Sequence, residues 1–152
     1  MKIAIIKIAA LLLCVLPALH AAAGSNLDNL DSQSRAQLEL KASHANPREQ
    51  PYLYTELVHV YSQLAAQQLT QGDTDSARAT LKQIQLYIDR IKRGLSEKAK
   101  YLKHGEMLLE SASFRMGQLA RSVSSDDQPS VEATLKQMNL VHDEMLGQLF
   151  AH

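Results

Sequence analysis

The chain is poor in cysteine and glycine, and each of these two shortages excludes a class of site. It has one cysteine, no tryptophan and six glycines in 152 residues. Cys14 lies in an apolar stretch that we predict to be removed on export, which would leave no disulfide, thiolate nucleophile or cysteine metal ligand. The sequence has no Cys-x-x-Cys-His for covalent haem, no glycine-rich phosphate loop and no other catalytic signature. We therefore predict that the protein is not an enzyme, and we assign it no cofactor.

Neither sign of charge dominates, and no apolar run is long enough to span a membrane. Lysine plus arginine number 16, and aspartate plus glutamate also number 16, so the charge does not favour nucleic acid or an anionic membrane surface. The longest apolar segment, 8–19, would rise only about 18 Å as a helix, short of the ~30 Å hydrocarbon core. We predict no nucleic-acid partner and no stable membrane span once the N-terminal segment is removed.

The first 23 residues have the pattern of a secretory signal peptide. Lys2 and Lys7 form a positive region next to the apolar segment, and three alanines at 21–23 provide the small-residue cleavage pattern. The alternative, lipoprotein processing at Cys14, is disfavoured because the residue before it is a bulky leucine. We predict cleavage after the third alanine and export of residues 24–152, either to the periplasm or to the medium.

One helical sequence block occurs twice, 54 residues apart. The segment 79–84, Ala-Thr-Leu-Lys-Gln-Ile, returns at 133–138 as Ala-Thr-Leu-Lys-Gln-Met. Nine identities fall within the seventeen positions 73–89 when these are aligned without gaps to 127–143. Shared helical composition does not explain so many identities in one register. We interpret the block as part of a duplicated helical unit.

Apolar residues recur at spacings of three and four along the chain, which is typical of amphipathic helices with heptad-like, coiled-coil seams. No alternating run rich in β-branched residues is present. We predict an all-α fold: an antiparallel helical bundle in one domain, 24–152, built from two tandem helical hairpins. Tetratricopeptide proteins have a similar appearance, but their ~34-residue repeat and its signature are not found here. The predicted hairpins are 51–93 and 97–150, and the predicted helices cover about 26–44, 51–71, 74–93, 97–123 and 128–150.

Particular residues mark the turns between these helices. Gly72 suits the left-handed position after a helix, and Asp73 suits the N-cap of the next one. Asp127 occupies the equivalent place in the second hairpin, and Ser96 is predicted to cap helix four. Gly105 lies in the apolar seam of helix four, where a glycine either weakens the helix or lets a neighbour approach closely.

The stretch Pro47–His59, followed by Gly72-Asp73 and the block 79–83, resembles a family of small secreted helical proteins from soil bacteria that has no known activity. The resemblance covers most of residues 24–152. It implies a secreted helical protein and implies nothing about mechanism.

Two groups of side chains are candidate metal ligands. His142, Met138 and Met145 share the predicted seam of helix five, and thioether with imidazole suits Cu(I) or haem iron. Glu56 and His59 form a Glu-x-x-His pair, half of a di-iron carboxylate site, although the second hairpin has serine in place of the second histidine. A simpler explanation is that methionine fills helical cores and that so short a pair arises by chance. If these groups do bind metal, the alternative function is that of a periplasmic metal- or haem-binding bundle.

Two surfaces are candidates for partner binding. Tyr52, Tyr54 and Tyr61 lie along helix two, and aromatic side chains with polar tips are frequent in interfaces, although packing against the N-terminal helix would explain them equally well. A basic cluster at the corner between the hairpins either binds an acidic partner or phospholipid headgroups, or complements the helix dipole in solvent. The cluster consists of Arg90, Lys92, Arg93, Lys98, Lys100 and Lys103.

The sequence as a whole favours an exported, non-enzymatic helical protein that acts by protein–protein contact or as a structural module. A homo-oligomer is one form that this contact could take. The sequence does not identify a particular partner.

Overall fold

A computed structural model of the protein describes residues 30–96 and 98–151. These residues form five α-helices and no strand, which confirms the predicted all-α fold. The predicted signal peptide, 1–23, and the start of the predicted first helix lie outside the described residues. The helices are α1 (Ser32–His44), α2 (Gln50–Thr70), α3 (Thr74–Gly94), α4 (Leu102–Ala120) and α5 (Gln128–Phe150).

The helices pack as two antiparallel hairpins, α2–α3 and α4–α5, that lie side by side. α2 contacts α1, α3 and α4, and α5 closes the bundle by packing against α3 and α4. The side chain of Lys100, just before α4, bonds Glu49 at the start of α2, and Arg115 within α4 bonds Ser62 within α2. α2 and α4 therefore run parallel, and because each hairpin is antiparallel, α3 and α5 run parallel as well.

The core is centred on α2, which buries side chains around much of its surface because three helices contact it. α1 contributes only one buried side chain, Ala42. Fully burying one leucine, isoleucine or methionine contributes roughly 1.5–3 kcal/mol. None of the helices in the described part of the chain is both long and apolar enough to cross a membrane. The largest fully buried apolar side chains include Leu57, Ile84, Ile91, Leu109, Met116, Met138 and Met145.

The turn between α2 and α3 forms as predicted. Gly72 takes a left-handed conformation, with φ of +77°, which glycine adopts without steric cost. The Asp73 carboxylate accepts a hydrogen bond from the backbone N–H of Ser76 and so caps α3. The equivalent Asp127 makes no such cap bond on α5. The two copies of this aspartate therefore have different roles.

The Asp127 carboxylate connects the starts of α3 and α5. It is buried, and it accepts hydrogen bonds from the Ser124 hydroxyl at 2.9 Å and from the Thr74 hydroxyl at 3.5 Å. The Arg78 guanidinium lies 3.2 Å from its other oxygen. A side chain predicted to cap its own helix instead joins the two hairpins.

The start of α4 differs from the prediction. α4 begins at Leu102 rather than near residue 97, and Ser96 does not cap it. The preceding segment is fastened to the turn before α2: the Lys100 N–H donates to the Arg48 carbonyl at 2.7 Å, and the Arg48 Nε donates to the Lys98 carbonyl at 2.7 Å. These long-range bonds replace a further helical turn, and local sequence does not reveal them.

The buried side of α5 is also rotated slightly from the seam that the apolar spacing predicts, which consists of Val131, Leu135, Met138, His142, Met145 and Leu149. Thr134 and Val141 are buried, whereas Leu135 and His142 are only partly buried. Two neighbouring lines of residues on α5 share the same three-and-four spacing. The spacing alone does not determine which of the two lines is buried. Packing of α5 against both α3 and α4 determines it.

Gly105 allows a close approach between helices. It is buried, and a Cβ at this position would lie 3.1 Å from the Met145 methyl group and 3.5 Å from the Thr55 hydroxyl. Of the two roles predicted for this glycine, the structure therefore supports the second.

Candidate functional site

Two of the three predicted interface tyrosines serve the core. Tyr54 is buried and stacks on Tyr87 with ring centroids 5.9 Å apart, and Tyr61 meets the same ring edge-on at 5.3 Å. The Tyr61 and Tyr87 hydroxyls both donate to the Glu39 carboxylate on α1, with Tyr87 at 2.6 Å. Burial and these bonds raise the pKa of Tyr61 and of Tyr87. Tyr61 thus packs against the N-terminal helix, as the alternative explanation predicts, and Tyr54 packs against α3.

The third tyrosine, Tyr52, lines a cleft of about 380 Å³ between α1, α2 and the start of α4. Its ring lies 5.3 Å from the Tyr101 ring and 5.6 Å from the His104 ring, tilted against both. Burial and a hydrogen bond to Glu56 raise the pKa of the Tyr52 hydroxyl. Three rings and a carboxylate thus share one partly open space. We call it the aromatic cleft; its lining also includes Lys41, Glu49 and Leu53.

Tyr101 reaches this cleft from a strained backbone. Its φ of 58° places it in the left-handed region, and among the described residues it is the only one other than glycine with positive φ. A left-handed conformation costs an L-residue about 1–2 kcal/mol. The Lys100–Glu49 ion pair at 2.8 Å, together with the backbone bond of Lys100 to Arg48, holds the segment in place. Strain of this kind persists where surrounding contacts fix it, and it is concentrated at functional sites.

Glu56 and His59, the predicted Glu-x-x-His pair, have separate surroundings. Glu56 is partly buried and lines the aromatic cleft together with Tyr52. His59 is buried, with its Nε2 3.3 Å from the Gln63 amide nitrogen. Across the described ranges, no cluster of three or more His, Cys, Asp or Glu side chains has metal-binding geometry.

The His142, Met138 and Met145 group is divided between core and edge. Met138 and Met145 are fully buried. The His142 side chain is 20% exposed, and its Nε2 lies 2.8 Å from the Glu106 carboxylate on α4. The methionines therefore fill the core, while the histidine joins α5 to α4 at the edge of the bundle.

The basic corner includes a cleft of about 400 Å³ lined by Arg48, Arg90 and Arg93. All three side chains are exposed. Arg93 lies in the last turn of α3, where a cation complements the helix dipole. The Arg48 Nε is occupied by the Lys98 carbonyl. The structure is thus consistent with the solvated, dipole-complementing role of this corner.

Part of the repeated block is exposed in both copies. The identical Thr80 and Thr134 are buried, so packing accounts for their retention. Four other identical positions are exposed in both helices, and packing does not account for them. Their spacings of three and four place each set along one helix face. We call these sets the duplicated stripes: Ala79, Lys82, Leu86 and Asp89 on α3, and Ala133, Lys136, Leu140 and Asp143 on α5.

One residue of each stripe, Lys82 on α3 and Ala133 on α5, lines a groove of about 330 Å³ between the two helices. Leu86 is 56% exposed and Leu140 is 59% exposed. Neighbouring exposed positions are not retained: Arg78, for example, corresponds to Glu132. Among the positions that are exposed in both helices, sequence identity between the copies is therefore confined to the stripes.

Comparisons with models of protein families, with curated proteins and with solved structures found no match. Sequence reasoning anticipated Tyr52 and Glu56 but did not place them together, and it missed Glu39, Tyr87 and Tyr101. The exposed identities were visible in the repeat, but only the helix packing separates them from the buried ones.

Proposed function

We propose that this is an exported, non-enzymatic helical protein that acts by protein–protein contact, with the duplicated stripes as its contact surface. The observation that carries the proposal is the retention of Lys82, Leu86 and Asp89 at exposed positions of both copies. An exposed leucine carries no packing role that would preserve it. Because the same exposed residues occur in both copies, we expect a partner that has two equivalent binding surfaces.

Export is supported by the N-terminal sequence pattern, in which Lys2, Lys7 and the apolar segment 8–19 precede three alanines. The resemblance to small secreted helical proteins agrees with it. The absence of cysteine after position 14 suits an oxidising compartment, because no thiol is available to form a wrong disulfide.

The occupant that best fits the stripes is a second copy of this chain. In each stripe a lysine stands four residues before the leucine and an aspartate three residues after it, roughly 6 Å and 4.5 Å along the axis. A copy related by a two-fold axis presents the same sequence of charges in reverse. Each lysine then faces an aspartate and each leucine faces a leucine, because an axis perpendicular to the helices places α3 of one copy over α3 of the other and α5 over α5.

Sedimentation velocity over a concentration series tests this self-association. Reversing both stripe lysines, Lys82→Glu with Lys136→Glu, replaces attraction by repulsion and should weaken association about tenfold or more, since exposed pairs contribute roughly 0.2–1 kcal/mol each. Adding Asp89→Lys and Asp143→Lys restores the complementary order and should restore association.

The matched control is Lys98→Glu with Lys103→Glu, which changes the net charge equally at exposed positions outside the stripes and should leave association unchanged. A protein that stays monomeric at every concentration overturns the second copy as the occupant. So does a fourfold charge exchange that fails to restore association.

A further inference from the structure

The aromatic cleft is separate from the duplicated stripes and has the composition of a small-molecule site. Its lining combines three aromatic rings, two carboxylates and one ammonium group in about 380 Å³, near the lower end of the range for ligand pockets. The tilted rings of Tyr101 and His104 lie within 6 Å of the Tyr52 ring. The cleft therefore presents π-faces and charges of both signs to one ligand.

The charges on the lining restrict the ligand. Glu49 is already paired with Lys100. A purely anionic ligand would therefore meet mainly the Glu56 carboxylate, and a purely cationic ligand would meet the Lys41 ammonium group. A cationic group is attracted to aromatic faces within about 6 Å of a ring centroid. Glu56, which lines the same cleft, adds negative charge beside those rings.

We propose that the aromatic cleft binds a small zwitterion of the betaine or amino-acid class. Its ammonium group lies against Tyr52, Tyr101 and Glu56, and its carboxylate faces Lys41. The strained Tyr101 is the ligand-positioning residue, since its left-handed backbone places a ring where a relaxed helix start would not. This inference does not depend on the function proposed for the stripes.

Glycine betaine is the probe, and isothermal titration calorimetry on the purified protein is the measurement. We expect saturable binding, with choline, which lacks the carboxylate, and acetate, which lacks the ammonium group, each at least about tenfold weaker. Removing either charged group from the ligand removes its contact with the rings or with the charged side chains. The loss of one such contact weakens binding on this scale.

Tyr101→Gly separates a ligand role from a folding role. Glycine adopts the left-handed backbone without strain, so this variant should unfold at the same or a higher urea concentration while glycine betaine binding weakens at least about tenfold. Glu56→Gln keeps an acceptor for the Tyr52 hydroxyl and should weaken binding similarly. Phe114→Ala removes an exposed ring elsewhere on α4 and should change neither property.

Three results would overturn the proposal. The first is the absence of saturable glycine betaine binding. The second is binding that Tyr101→Gly and Glu56→Gln leave unchanged. The third is choline or acetate binding as tightly as glycine betaine, because one end of the zwitterion would then have no role.

Discussion

At the scale of single residues, the Glu39 carboxylate joins three helices. It lies on α1, a helix with only one fully buried side chain, yet its carboxylate accepts hydrogen bonds from tyrosines on α2 and α3. Hydrogen bonds to a charged group contribute more than those between neutral groups. α1 is therefore attached to the bundle by this polar contact together with limited apolar packing, which includes Leu38 and Ala42.

Replacing this carboxylate should loosen α1. Glu39→Ala leaves the buried Tyr87 and the partly buried Tyr61 without an acceptor for their hydroxyls. We expect a loss of about 2–3 kcal/mol in the free energy of unfolding, measured by urea denaturation. Glu110→Ala, at an exposed position on α4, should cost less than about 0.5 kcal/mol. Equal effects of the two substitutions would contradict the role given to Glu39.

At the scale of helices, sequence patterns located α2, α3 and α5 to within a residue or so, because apolar spacing and the Gly72-Asp73 turn are local signals. They misplaced the start of α4, because its position depends on bonds from Lys100 to residues some fifty positions earlier. They also placed Leu135 and His142 on the buried line of α5, where the structure buries Thr134 and Val141. Information that resides in contacts between hairpins is not present in either hairpin alone.

The paired aspartates give a prediction at this scale. Asp73→Ala removes one helix cap and should cost about 1 kcal/mol. Asp127→Ala removes the acceptor shared by Thr74, Arg78 and Ser124, and we expect the larger loss, about 2 kcal/mol, because the carboxylate is buried. Urea denaturation of both variants checks the order. A larger cost for Asp73→Ala would mean that the contact between hairpins contributes little.

At the scale of the whole molecule, the sequence predicted an all-α fold built from two helical hairpins, but it did not predict how the hairpins pack against each other. Parallel stacking of equivalent helices follows from contacts such as Arg115 with Ser62, residues 53 apart. The aromatic cleft is likewise a product of assembly, since Lys41, Tyr52 and Tyr101 come from three separate segments. Neither feature has a signature in any single segment.

The stability of the whole molecule should fall in alkaline solution. The folded state raises the pKa of Tyr61 and Tyr87 above the usual 10.0, so it favours their neutral forms. The contribution is fully present below about pH 10 and is lost as the pH rises further, because the unfolded state then releases protons more readily. We expect the urea midpoint to fall above pH 10.

Tyr87→Phe is the control for this effect, because phenylalanine keeps the ring but has no proton to release. The variant should be less stable than the wild type near neutral pH and should lose less stability between pH 9 and pH 11. An equally steep fall in both proteins would assign the alkaline sensitivity to other groups.

Parallel stacking of the two hairpins also bears on how such a chain can grow. The second hairpin lies beside the first by translation rather than by rotation. The outer side of α4 and α5 is therefore equivalent to the side of α2 and α3 that the second hairpin covers. A third copy of the unit, gained by another tandem duplication or added by design, would meet a neighbour of the same kind. The number of units, and with it the number of duplicated stripes, could thus change without a new type of interface.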